Sequence, residues 1–231
     1  SISANDWKEL KSQIEKFEES DQKYLVLKEI NGNFSSGAQL AENINALMED
    51  VNLAAKALWN CKKPVIAAVD GVCAGAGANM ILLSDFIIAT SATRFIEVFA
   101  RRGLVVDFGG SWNLPRMIGL QKAKELVFSG RRVYAEEAKE MGLIYDIVGA
   151  DTAMQDARDF ASRFIDAPTQ AIGLAKNIMN QSYSHDYKTI LEMEAMAQSI
   201  ARGADFHKEA IKRFAEKKPA LFDWESFEKK A

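Results

Sequence analysis

Several things are scarce in this chain, and each scarcity removes a class of protein. There are two cysteines in 231 residues, Cys61 and Cys73, and their separation is not that of a zinc or redox pair. Neither a disulfide scaffold nor a thiolate metal site is expected, and a reducing compartment, the cytoplasm, is. There are two histidines, His185 and His207, each without a second histidine or a cysteine close by; they read as structural or surface residues. Neither sign of charge dominates: 29 basic and 32 acidic residues leave a net charge of -3, with the signs interspersed. A sequence-independent nucleic-acid binder needs a basic stripe to displace counterions from phosphates, and none is visible. Long apolar runs are missing too. The most apolar stretch, residues 80–88, is broken by Ser84 and Asp85, well short of the roughly 18–20 residues that span a bilayer. No signal or transit segment is recognisable at Ser1, so neither nucleic acid nor membrane is an expected partner.

What is present fits a globular α/β chain: 48% apolar residues, 26% charged, four prolines and 14 glycines. A chain of this length buries roughly 70% or more of the surface it exposes when unfolded, so stability requires no cross-link or metal. Trp7, Leu10, Ile14 and Phe17 recur at helical spacing, with Asn5 or Asp6 available as cap. The period then changes to a short apolar run, residues 24–30, followed by the turn residues Asn31, Gly32 and Asn33. A second helical pattern covers about 41–59. Pro64 opens a strand at 65–69, where its missing N–H costs least, and another strand is expected at 86–89 after a short helix around 79–83. Strands separated by helices imply crossovers and a largely parallel, buried sheet. Beyond Gly119 helices dominate, at 121–128, 135–141, 152–165, 169–181, 187–201 and 205–215, with one strand at 144–148. The expected organisation is an α/β core over residues 1–150 and a helical region over 151–231.

Glycine clusters where chemistry is most easily housed. Seven of the 14 glycines lie between Gly71 and Gly119, and glycine lets backbone approach a ligand closely. The stretch from Gly71 to Gly77 follows a strand and precedes a helix, so its N–H groups are available to a negative oxygen. It is neither a Walker loop, since no Gly-Lys-Ser/Thr follows, nor a dinucleotide fingerprint, since the glycine spacing is wrong. Tight strand-to-helix packing explains it equally well. A second loop, Phe34-Ser-Ser-Gly-Ala-Gln-Leu40, has the same placement. Two such loops contributing one N–H each form an oxyanion hole, although a surface turn is the simpler reading of this loop alone. The third feature is Asp107, set among apolar residues and glycines in Gly103-Leu-Val-Val-Asp-Phe-Gly-Gly110. Such an acid is either exposed on a loop or held in an apolar pocket that raises its pKa towards neutrality. No Gly-x-Ser-x-Gly elbow supports a hydrolase triad.

In order and spacing, these segments resemble the crotonase, or enoyl-CoA hydratase/isomerase, superfamily. The resemblance runs through the Phe34–Leu40 loop, Lys63-Pro-Val-Ile-Ala-Ala-Val-Asp-Gly71, Ala74-Gly-Ala-Gly-Ala-Asn79, Leu114-Pro-Arg116, Phe128-Ser-Gly130 and Phe214-Ala-Glu-Lys-Lys-Pro219. It implies a spiral of ββα turns, C-terminal helices that assemble a homotrimer or hexamer, and an acyl-CoA thioester as substrate with no separate cofactor or metal. By position it implies that Ser36 and Ala76 supply the two oxyanion N–H groups, and that Phe34, Ser35, Ala38, Gln39 and Leu40 belong to the coenzyme A site. Lys217 or Lys218 would meet the phosphates. The family's first strand and hairpin have no counterpart here, and the segment 41–62 is short. A two-glutamate hydratase of the family carries acids where this sequence has Asn79 and Phe99, so ordinary hydration is disfavoured. The Asp107 motif is similar to the epoxyphenylacetyl-CoA isomerase type, with Val106 at a position where proline is common. The resemblance therefore implies an isomerase with Asp107 as single acid/base and Phe99 excluding water. The alternatives are a hydratase with unusual acids, Glu97 among them if it reaches the pocket, and an acyl-CoA-binding protein without turnover.

Overall fold

A computed structural model describes residues 1–28, 32–39 and 43–228. The chain opens with α1 (Ala4–Glu19), whose cap is Ser3 rather than Asn5 or Asp6. The Ser3 hydroxyl accepts the Asp6 N–H at 3.3 Å and the Asp6 carboxylate accepts the Ser3 N–H at 2.7 Å, a reciprocal capping box. Asp6 is thus the partner of the cap. Trp7, Ile14 and Phe17 form the buried stripe. After β1 (Leu25–Lys28), α2 (Ile44–Asn60) starts at the cap Asn43 and buries Leu47, Val51, Ala54 and Leu58, a 4-3-4 spacing that lays one face against α1. Residues 29–31 and 40–42, which include the expected end of the first strand, Asn31 and Leu40, lie outside the described residues.

Strand β2 (Val65–Val69) begins immediately after Pro64 and is buried at every position. Then follow β3 (Val72–Ala74), α3 (Ala76–Ile81), β4 (Phe86–Thr90) and β5 (Arg94–Ile96). The expected helix at 79–83 therefore starts three residues earlier, at Ala76. A single 3-10 turn (Ala100–Arg102) leads to α4 (Gly110–Ile118), α5 (Leu120–Ser129), β6 (Arg132–Tyr134), α6 (Ala135–Glu140) and β7 (Asp146–Val148). The C-terminal helices are α7 (Ala153–Ser162), α8 (Thr169–Gln181), α9 (Tyr187–Gly203), α10 (Asp205–Ala215) and α11 (Glu225–Glu228).

The strands form two sheets. One is parallel throughout, in the order β1-β2-β4-β7; the other has the order β3-β5-β6, with β6 antiparallel. Successive turns of chain repeat one pattern: a strand in the first sheet, a strand in the second, then a helix, as in β2-β3-α3 and β4-β5-α4. This is the spiral of ββα turns that the resemblance implied. The period of two along β2 and β4 divides the core. Ala67, Val69, Ile87 and Ala89 face α3 and the second sheet, while Ile66, Ala68 and Ile88 face Ala157, Phe160 and Ala161 of α7. Hence α7 is buried against the first sheet, whereas α9 and α10 bury no residue.

What this frame positions is the loop of residues 32–39. It is tied on one side by Ile2, which exchanges backbone hydrogen bonds with Gly37 and Gln39 at 3.0 and 2.8 Å. On the other side Ser35 N–H donates to Val72 O at 3.0 Å and Ala74 N–H to Ser35 O at 2.8 Å, an isolated parallel bridge to β3. The contact is close enough that a Cβ on Gly77 would collide with the Ser35 side chain. We predict that Gly77→Ala lowers stability to urea by about 1–3 kcal/mol through overpacking. Gly203→Ala, at the end of α9 with open space around it, should leave stability unchanged or slightly raised in the same assay.

Candidate active site

A cavity of about 750 Å³ runs beside the tied loop, lined among others by Phe34, Ser35, Ser36, Trp7, Met80 and Lys28. Within it Ser36 is exposed, and Phe34 is half-buried with its ring packed against two of the core clusters. Ser35 is buried, and its hydroxyl accepts the Gly37 N–H at 3.0 Å. Ala38 bridges to Ile2 and Gln39 is exposed; Leu40 lies outside the described residues. Lys217 stands exposed beyond α10 with φ 55° and is not among the residues lining this cavity.

The two loops meet backbone to backbone. A Cβ on Gly75 would lie 3.6 Å from Gly37 Cα, and one on Gly37 would lie 3.5 Å from Ala74 O. Ser36 sits between the bridged Ser35 and the apposed Gly37, while Ala76 is the first residue of α3, just past Gly75 at φ 56°. Among the described residues no protein acceptor takes the N–H of Ser36 or of Ala76. Both donors are therefore uncommitted on adjoining loops. Phe99, buried, places its ring 3.7 Å from the same Gly75 Cβ position and fills the space beside Ala76.

Asp107 precedes α4 and is held by its own backbone, whose carbonyl accepts the Gly110 N–H at 2.9 Å. Its Oδ1 is buried without a partner among the described residues, and burial pushes its pKa up to about 6. Close by, Glu97 is 1% exposed. Its Oε2 accepts from Asn79 Nδ2 at 3.4 Å, and its other oxygen has no partner among the described residues. Burial, reinforced by the charge of Asp107 and opposed by the Asn79 hydrogen bond, raises its pKa to about 8. Asp107 ionises first, so Glu97 feels a charge that it does not return at that pH. Asn79 in turn abuts Gly110, where a Cβ would collide with its carboxamide, so α3 and α4 are locked beside the acid. Cys73 is completely buried and its thiol is pushed upward by burial, which makes it inert.

Trp7, Lys28 and Phe108 were not candidates from sequence. A tryptophan at a helical spacing reads as core, a lysine ending a strand reads as solvated, and nothing local marks Phe108 except its place between an acid and two glycines. Glu97 was named only as a register alternative; its burial is not legible from a charged residue at a strand end.

Two sheets wound as ββα turns, two backbone N–H groups without an acceptor among the described residues at the junction of two loops, and two neighbouring acids whose pKa burial raises are together capable of stabilising an oxyanion and moving a proton, the chemistry of an acid/base enzyme. The chain belongs to the enoyl-CoA hydratase/isomerase family, whose model matches residues 1–226. It is 34% identical over 206 residues to a protein of Rhodobacter capsulatus described as "Probable enoyl-CoA hydratase", covering 86% of this chain and 80% of that one. It is 37% identical over 161 residues to the 1,2-epoxyphenylacetyl-CoA isomerase of Escherichia coli, covering 69% of this chain and 61% of the relative. Among solved structures, an enoyl-CoA hydratase/isomerase from Cupriavidus metallidurans superposes with a TM-score of 0.86 at 31% identity, over 94% of this chain and 85% of that one. An enoyl-CoA hydratase from Bacillus anthracis gives 0.86 at 25% identity, over 96% and 89%.

The buried acid generates a prediction. Because the folded pKa of Glu97 is raised, stability is greatest below its unfolded pKa and is lost as pH rises through about 8. Glu97→Gln, which keeps an acceptor for Asn79, should match the wild type near pH 5. It should become more stable by on the order of 3 kcal/mol above pH 8, as read by urea unfolding across that range.

Proposed function

We propose that the protein is an acyl-CoA isomerase that shifts a double bond, converting a 3-enoyl-CoA to a 2-enoyl-CoA, or rearranges a ring epoxide, through a thioester enolate with Asp107 as the single acid/base. The observation that carries this reading is that Asp107 is the partly accessible acid, its neighbour Glu97 being buried, while Asn79 and Phe99 cannot transfer a proton. In the proposed reaction the Asp107 carboxylate takes the C2 proton. The electron pair moves onto the thioester oxygen, where the Ser36 and Ala76 N–H groups stabilise the dienolate. The same carboxyl returns its proton at C4, and Phe99 denies water the place that hydration needs. No group beyond the substrate is required. The coenzyme half of the substrate is read onto Phe34, Ser35, Ala38, Gln39 and Leu40, with Lys217 and, from its position in the cavity, Lys28 as partners for phosphate.

A homotrimer or hexamer is supported by α9 and α10, which bury nothing within the chain and expose Leu191, Met196, Ile200, Ile211 and Phe214. A cytoplasmic setting is supported by the two free thiols; among the described residues no helix is long and apolar enough to cross a membrane. Hydration is the second reading, favoured by the charge coupling between Glu97 and Asp107. Against it, Glu97 is sealed from solvent, whereas Asp107 is only partly buried.

The test follows the conjugated thioester absorbance with a 3-enoyl-CoA and, separately, a 2-enoyl-CoA. Conversion of the first, falling by about 10²–10⁴ in Asp107→Asn, is expected. Its kcat/KM should rise with pH through about 6, since the base must be ionised. Water addition to the second substrate would replace isomerisation by hydration, and binding of both without change would leave a non-catalytic acyl-CoA binder.

A further inference from the structure

The two residues after the acid, Phe108 and Gly109, line a second cavity, of about 460 Å³, whose apolar wall is made by Ala55, Trp59, Leu83, Phe108 and Trp112. Trp59 and Trp112 meet edge to face at 5.0 Å. This cavity and the one beside Ser36 share no lining residue. Two rings in contact join their linings: Trp7 of the first and Phe108 of the second, with centroids 5.2 Å apart.

Both rings carry a cost that simple core packing does not require. Phe108 is a bulky residue at φ 51°, in the left-handed region that favours glycine, and it lies directly between Asp107 and Gly109. Trp7 is fully buried, yet its indole N–H has no acceptor among the described residues. The two costs fall on the same pair, one member of which lines each cavity.

We propose that the Trp7–Phe108 pair is the wall that limits acyl length, so that the thioester held at Ser36 and Ala76 carries a short acyl group, and that Phe108 is the specificity-determining residue. This rests on the acyl-CoA reading above. The acid that would attack C2 is the neighbour of Phe108, so an acyl chain extending past Asp107 meets this ring first. With the ring absent, the chain continues into the Trp59–Trp112 cavity, where each methylene that finds an apolar wall adds about fourfold in affinity. Long acyl groups are excluded by a side chain and not by lack of room beyond it.

Titration calorimetry with saturated thioesters, butanoyl-CoA and decanoyl-CoA, tests the wall without requiring turnover. Wild type should bind butanoyl-CoA at least tenfold more tightly than decanoyl-CoA. Phe108→Gly, which also relieves the positive φ, should tighten decanoyl-CoA by tenfold or more and leave butanoyl-CoA nearly unchanged. Adding Ala55→Trp to that variant, which refills the second cavity, should cancel the gain. Phe108→Ala is measured alongside, so that a misfolded glycine variant does not remove the comparison. Equal binding of the two thioesters by wild type, or an unchanged ratio in a folded Phe108 variant, overturns the proposal while leaving the acyl-CoA reading intact. Binding of neither thioester by wild type overturns that reading, and the wall with it.

Discussion

The site depends on a contact that exists because side chains are missing from it. The loop of residues 32–39 lies directly on the corner where β3 turns into α3, with Gly37 against Gly75 and Ser35 against Gly77. The parallel bridge from Ser35 to Cys73 fixes the register of that contact. The Ser36 and Ala76 N–H groups are then left with no acceptor among the described residues. A methyl at Gly77 would run into the Ser35 side chain and push the loops apart, and with them the two donors, while Gly75 is required by its positive φ of 56° rather than by lack of room. The rest of the spiral can be seen as the support that brings these two stretches, far apart in sequence, into one plane of contact.

Around that contact the electrostatics are ordered by burial. Asp107 is partly sheltered and Glu97 almost completely, so the two acids ionise in sequence instead of competing for one proton. Through the working range near neutrality one carboxylate is charged and the other is held neutral against Asn79. A neutral Glu97 keeps the carboxamide of Asn79 in place against Gly110 without adding a second negative charge beside Asp107. The arrangement accommodates a buried acid as a hydrogen-bonding group, which is how a carboxyl of raised pKa behaves at neutral pH.

Much of the fold was legible because stops and periods agreed. The helical pattern placed α8 at Thr169–Gln181, and Pro64 placed the start of β2. The second sheet was not legible: β3, β5 and β6 are three residues each, too short to display an alternation. Pro115 and the preceding glycines hid α4, which holds the proline in its interior. The same division applies to the site. Asp107 stood out as an acid among glycines, and the two loops as glycine-bearing turns between strand and helix. What sequence could not convey was partnership: that the α1 cap is Ser3, that Trp7 of that helix reaches Phe108, or that Glu97 is enclosed, since each depends on segments brought together only by the spiral.

The parallel order β1-β2-β4-β7 has a consequence for how the chain is made. The outer edge of β4 is covered by β7, which begins only at Asp146, and the face of Ile66 and Ile88 is covered by α7, which follows it. Until about two thirds of the chain has been synthesised, β4 presents an apolar, unpaired edge and an open face, features that invite association with other chains. The arrival of β7 and α7 thus closes a window of vulnerability, and the segment after residue 145 contributes to folding yield as well as to the finished architecture.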